Sequence, residues 1–230
     1  MTVGRHRLDA YQDVQSPAVG ILDGIKHINS TISDAHKGSR YCTADIKDFF
    51  LCSMMQIYQY MCIHCSYIPT EVLFEYNLTP DNFDSKDYGY LEIRKGMYGL
   101  KETAILAYEQ LRNHLELYCY VPFKHTPGMW RHTTDPITFT LAVDDFGIKY
   151  FNKVDANHLF SALHAKYSIT IERSGVSNLG LTINWNYNNG YLDISMPDFV
   201  PKASPASYST TCSTCMDNFG HCKNNSILNH

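Results

Sequence analysis

No stretch of this 230-residue sequence approaches the run of about 18 apolar residues that a membrane-spanning helix needs. The opening residues MTVGRHRLDAYQD carry no apolar leader core. A secreted or membrane-embedded protein is therefore not expected. Tryptophan is scarce, at two residues, so nothing suggests the aromatic cleft of a sugar hydrolase. Positive charge is also in short supply, with 19 Lys and Arg against 23 Asp and Glu. The net charge of −4 disfavours a protein that works through a broad basic surface, though it leaves room for a local basic groove. Low-complexity tracts are missing too. With 44% apolar and 18% charged residues, the composition is globular, sized for one large domain or two small ones. Eight cysteines without an export signal are expected to stay reduced. Cys42, Cys52, Cys62, Cys65 and Cys119 sit in apolar or mixed segments and read as core filler.

Periodicity organises the chain. A helix is expected around Val19–Ile32, and YCTADIKDFFL (41–51) alternates as a strand, with Cys42, Ala44 and Ile46 on one face and Asp45 on the other. Met61–Ile63 reads as a short strand and Thr79–Tyr88 as a turn-rich loop. YLEIRKGMYGL (90–100) reads as a strand followed by a glycine-hinged turn. Ala104, Tyr108, Leu111, Leu115 and Tyr118 recur at helical spacing over 103–118. ITFTLAVDD alternates Ile137, Phe139, Leu141 and Val143 against Thr138, Thr140, Ala142 and Asp144. A second helix carries Ala156, Leu159, Phe160, Leu163 and Tyr167, with Asp155 as its cap. Asn188-Asn189-Gly190 marks a hairpin turn. The expected class is α+β: an antiparallel sheet with helices packed on one face.

The open face of that sheet holds the chemistry. Asp45 and Asp144 come from strands whose other face is apolar, and Asp145 adjoins them. Asp-Asp before Phe-Gly is also ordinary turn chemistry. If the two strands are neighbours, however, three carboxylates meet on one ledge and repel each other unless cations neutralise them. That is the design of a two-metal phosphoryl-transfer site. Carboxylate acid/base hydrolysis is the weaker alternative.

Four stretches then stand in a telling order: TADIKDFF (43–50), EIRKGMYGL (92–100), HTPGMW (125–130) and ITFTLAVDDFG (137–147). Through them residues 41–200 resemble the reverse transcriptase domain of copia-type retrotransposon polyproteins. The resemblance implies the palm of a right-hand polymerase with part of the fingers, an RNA-directed DNA polymerase (a nucleotidyltransferase). Such an enzyme adds deoxynucleotides to a primer 3′-hydroxyl with two Mg²⁺ or Mn²⁺ ions. By the same resemblance Asp45, Asp144 and Asp145 are the metal-binding catalytic carboxylates. Ile46 and Lys47 approach the triphosphate through their backbone amides, Phe50 lies under the sugar or in the core, and Tyr98, Gly99 and Leu100 support the template and incoming base. Glu102 occupies the place of a Gln near the nascent pair, Ala142 that of a larger residue, and Lys166 falls roughly at the place of a proton-donating lysine or is an ordinary solvated helix-end lysine. Implied partners are an RNA/DNA template-primer, dNTPs and other polyprotein products, with no membrane. The implied location is a cytoplasmic virus-like particle or the nucleus.

Residues 1–40 are expected to be a partial fingers segment, with Arg5, Arg7 and Lys26 the remaining candidates for gripping a triphosphate. Residues 201–230 are expected to form an unstructured tail unrelated to the family. In that tail Cys212, Cys215, His221 and Cys222 have spacing that fits neither a zinc knuckle nor a finger. His125 and His132 flank Trp130 and read as loop histidines. Two function classes stand side by side: a working polymerase module cut from a polyprotein, and a catalytically inactive remnant that keeps the polymerase-like fold.

Overall fold

The computed structural model describes residues 17–197. Arg5, Arg7 and the tail 201–230 with its Cys212, Cys215, His221 and Cys222 lie outside them. In chain order the elements are α1 (Ile21–Ser33), β1 (Arg40–Ile46), β2 (Met54–His64), α2 (Thr70–Glu75), β3 (Tyr88–Lys95) and α3 (Lys101–Glu116), then β4 (Tyr120–Pro122), β5 (Met129–His132), β6 (Thr138–Ala142) and β7 (Asp145–Tyr150). They continue with α4 (Lys153–His164), β8 (Ile169–Glu172), β9 (Ser177–Asn178), β10 (Leu181–Asn186) and β11 (Tyr191–Ser195). The protein is thus a mixed α+β structure built on antiparallel sheets.

Six strands form one sheet in the order β4-β5-β6-β7-β1-β8, with every neighbouring pair antiparallel. Strand alternation sends Cys42, Ala44, Ile46, Phe139, Leu141, Phe146 and Ile148 to a single face, where all are buried. The stripes of α3 (Ala107, Leu111, Leu115) and α4 (Ala156, Leu159, Phe160, Leu163) cover that face. Each fully buried Leu or Phe contributes about 1.5–3 kcal/mol. Trp130 stacks on Phe139 at 5.8 Å and fills the β5 end of the layer.

The opposite face is not left open along its whole length, which corrects the expectation of helices on one side only. α1 lies across it, burying Ile28 with Tyr41, Leu181 and Ile183 from β1 and β10. Lys149 of β7 points the same way. Its ammonium donates to Asp34 Oδ2 at 2.7 Å, to the Ser30 carbonyl at 3.0 Å and to Ser30 Oγ at 3.1 Å, tying α1 down. The side chains of this face are polar at their tips, yet Tyr41 brings enough apolar surface to seat a helix.

Several local expectations also change. β1 stops at Ile46, and Phe49–Cys52 form a 3₁₀ turn instead of prolonging the strand. α4 begins at Lys153 behind Asn152, so Asp155 sits in its first turn and is not the cap. Val143 is 39% exposed and belongs to a turn, not to the core face. Of the five cysteines read as core filler only Cys42 is buried; Cys52, Cys62 and Cys119 are exposed and Cys65 is partly covered. Those four lie in turns, on the open ribbon or directly after it, where no second layer packs on them.

That ribbon is the largest departure. β2 runs for 11 residues and pairs with β3 as a separate two-stranded sheet, with an irregularity between Met54 and Gln59. Its small core is Met55, Ile93 and Leu100. β10 with β9 and β11 makes the third sheet. Among the described residues no helix is long and apolar enough to cross a membrane.

Candidate active site

Asp45 and Asp145 are direct cross-strand partners in the β1–β7 ladder. Because side chains opposite each other in an antiparallel pair share a face, both carboxylates stand on the face away from α3 and α4. Asp144 comes from the two-residue loop, Val143 and Asp144, that joins Ala142 to Asp145. Its carbonyl accepts a hydrogen bond from the Ile46 amide at 3.2 Å, which docks the turn onto the end of β1. Val143 takes φ of 64° there. A positive φ at the first loop position matches the twist of a tight hairpin, but in a β-branched residue it costs about 1–3 kcal/mol. The surrounding ladder holds that strain in place.

The electrostatics match three crowded acids. Partial burial, joined by the Asp45 charge, raises the Asp144 carboxyl above the ordinary range, against an opposing hydrogen bond to its own backbone. Asp145 is raised as well, first by desolvation and then by Asp144 and Asp45. The carboxylate oxygens do not all close to within 4.8 Å of one another; among the described residues the group that does is His64, Cys65 and Asp87. The three aspartates form a shared ledge and not a preformed ligand shell. Beside it lies a cavity of about 240 Å³ lined by Thr43, Asp45, Asp145, Thr170 and Asn178, among others.

The other candidate residues divide. The amides of Ile46 and Lys47 are both used inside the protein, to the Asp144 carbonyl at 3.2 Å and the Ser168 carbonyl at 2.9 Å. Both donors that the resemblance assigns to a triphosphate are thus paired within the protein at the end of β1. The Lys47 side chain itself is exposed. Phe50 is 9% exposed and belongs to the main core, so it offers little face to a sugar. Tyr98 lies over it and is 53% exposed. Desolvation first, then the charges of Asp144, Asp45 and Asp48, raises the Tyr98 hydroxyl, which places this ring within the field of the ledge.

The turn that carries Tyr98 is seated by Gly96, where a Cβ would come within 2.6 Å of the Phe50 carbonyl. Gly99 follows Tyr98, and Leu100 is buried in the ribbon's core. Glu102 sits in the first turn of α3. A carboxylate there is favourable to the helix dipole, which gives it a structural reason independent of any base pair. Lys166 donates to the Gln110 carbonyl at 3.4 Å at the end of α4 and is not tied to the aspartates. His132 is the last residue of β5, a strand residue and not the expected loop histidine, and its Nδ1 accepts from the Asp135 amide at 3.0 Å.

One neighbour went unread in the sequence. Asn178, in the two-residue strand β9, is buried with both amide atoms lacking a partner, and it lines the cavity next to Asp145. Nothing local marks it, because its position comes from β9 folding back over β7.

No protein-family profile matches the chain, and no curated protein does. Two solved structures are similar at low scores. One is an apo telomerase from Candida tropicalis truncated from its C-terminal domain, at TM-score 0.40 and 14% identity over 78% of this chain and 40% of that one. The other is a telomerase from Candida albicans in complex with a fragment of telomeric RNA, at TM-score 0.38 and 11% identity over 77% of this chain and 35% of that one. The chain thus spans well under half the length of either, and likeness at these scores carries no functional argument.

Proposed function

We propose that this chain is a reverse transcriptase palm module of the copia type, adding dNTPs to a primer 3′-hydroxyl on an RNA or DNA template. The observation that carries the reading is the pairing of Asp45 with Asp145 beside the docked Asp144 turn. Three hard oxygen donors that repel one another suit Mg²⁺ or Mn²⁺, so Asp45, Asp144 and Asp145 would hold the two ions. Bound there, the ions would acidify the primer hydroxyl and neutralise the departing pyrophosphate. The chain's own part is positional. β1 and β7 fix two carboxylates on one rigid face, the Val143 turn presents the third, and Tyr98 forms an aromatic floor beside them. The exposed Lys47 ammonium is the nearest side-chain cation in sequence to Asp45 for a triphosphate.

The test is primer extension on an oligo-primed homopolymer RNA with Mg²⁺ and then Mn²⁺, beside Asp144→Asn. Incorporation that vanishes in the variant is the expected result. Soluble, folded protein that incorporates nothing would sink the enzyme reading and leave a non-catalytic polymerase-like domain.

A further inference from the structure

A second set of ligand-bearing side chains lies on the ribbon and includes none of the three aspartates. β2 ends at His64, Cys65 follows it, and Asp87 directly precedes β3. Backbone pairing brings these ends together. His64 is the ladder partner of Tyr88, and the Cys65 amide donates to the Asp87 carbonyl at 2.8 Å. A ring nitrogen of His64, the Cys65 sulfur and a carboxylate oxygen of Asp87 all lie within 4.8 Å of one another. In a tetrahedral shell with bonds of 2.0–2.3 Å, ligand atoms stand about 3.3–3.8 Å apart, so a shift of about an ångström closes the set.

The surroundings hold these groups ready. Asp84 Oδ1 accepts from the Lys86 amide at 2.8 Å and the Tyr88 amide at 2.9 Å, bracing the turn that carries Asp87 at φ of 60°. The His64 ring is met edge-on by Tyr88 at 5.1 Å. Ser66 Oγ lies 2.9 Å from His64 Nδ1. The Ser66 amide also donates to Nδ1, at 3.2 Å, so Nδ1 is the bare acceptor of the neutral ring, and a metal there replaces the two Ser66 contacts. Cys65 is a free, partly covered thiol.

We propose that His64, Cys65 and Asp87 form a Zn²⁺ site that clips the base of the β2–β3 ribbon, independently of the polymerase reading. A nitrogen, a sulfur and an oxygen donor together fit zinc better than the all-oxygen preference of Mg²⁺ or Ca²⁺. Three protein ligands leave the fourth position to water. Binding replaces the Cys65 thiol proton, which passes to solvent, with a sulfur–zinc bond. The clip has a physical purpose. A two-stranded ribbon is marginal by itself, and the connection from Cys65 to Asp87, which includes α2, is a long excursion whose closure a metal stabilises.

The test is a Co²⁺ titration of the full chain carrying Cys212→Ser, Cys215→Ser and Cys222→Ser, so that those thiols cannot contribute. One equivalent is expected to give a thiolate-to-cobalt charge-transfer band with tetrahedral d–d bands, displaced by Zn²⁺. Cys65→Ser removes the charge-transfer band, Asp87→Asn weakens binding roughly tenfold or more, and Cys62→Ser leaves it unchanged. Zinc also slows proteolysis within residues 65–87 of the parent but not of Cys65→Ser. No band from folded protein, or a band that survives Cys65→Ser, would overturn the site; loss in Cys62→Ser would overturn its ligand assignment.

Discussion

Tyr98 meets Phe50 edge to face, with ring centroids 4.7 Å apart and planes at 80°. The pair holds separately the two places that were expected as alternatives for Phe50, the core and the face beside the substrate. Phe50 anchors the 3₁₀ turn in the core, and Tyr98 carries the exposed surface beside the aspartates. Phe50→Ala should therefore act on folding, costing about 3 kcal/mol, while Tyr98→Phe should leave stability within about 0.5 kcal/mol. Urea unfolding of both variants checks this. A Phe50→Ala protein as stable as the parent would return Phe50 to the substrate face.

The raised Asp144 carboxyl has a definite sign. A carboxyl whose folded value exceeds its unfolded one favours the fold while protonated, and that advantage is lost as pH rises from the ordinary carboxylate value up through the raised one. At neutral pH without divalent ions, Asp144→Asn should accordingly be more stable than the parent, by about 1 kcal/mol. Mg²⁺ should raise the melting temperature of the parent more than that of the variant. Thermal melts with and without Mg²⁺ measure both effects.

His27 offers a pH test away from the ledge. Burial, helped by the Lys149 charge, lowers it to about 3 from an ordinary 6.5. Between those values the unfolded chain binds a proton that the folded protein refuses. Stability should fall as pH drops below 6.5, with a contribution of up to about 1.4 kcal/mol per pH unit. His27→Phe gives up the contact with Thr138 Oγ1 at 3.0 Å, so it should be weaker at pH 7 but show a flatter profile. Denaturant curves from pH 7 to 5 decide the matter, above the range where Asp34, held down to about 2 chiefly by its hydrogen bond to Lys149, begins to titrate.

Gly147 is pinned by its neighbours: a Cβ there would lie 2.1 Å from the Tyr41 hydroxyl and 2.7 Å from Thr140 Oγ1. Gly147→Ala should cost about 1–3 kcal/mol. Tyr41→Phe removes a buried hydroxyl that has no hydrogen-bond partner, and should be close to neutral. In that background Gly147→Ala should cost clearly less. A double-mutant cycle measures the coupling.

The parts of the fold legible in the sequence were those set by local period. The stripes of α3 and α4, the alternation through Phe139 and Leu141, and the turn before β11 all need only neighbours a few residues away. What the sequence hid depends on distant partners. α1 finds its place through Lys149, and the amides of Ile46 and Lys47 are claimed by Asp144 and Ser168. The meeting of the aspartates followed from strand adjacency, which the alternation implied only if β1 and β7 paired. The length of β2 stayed unread because its exposed, mixed residues alternate without a buried face to mark the period. Asn178 could not be singled out, since only the fold-back of β9 makes it a neighbour of Asp145.

The sheet order has a consequence for motion. β7 lies between β6 and β1, and β1 lies between β7 and β8, so the backbone beneath Asp45 and Asp145 is bonded on both sides. Its amide protons should exchange with solvent only through opening of the whole sheet, whereas those of the free-edged ribbon should exchange through local fraying at far lower cost. The protein would then keep its acidic ledge stiff on the timescale of the slowest exchange while the ribbon breathes independently, and deuterium uptake resolved by peptide would read the two rates separately.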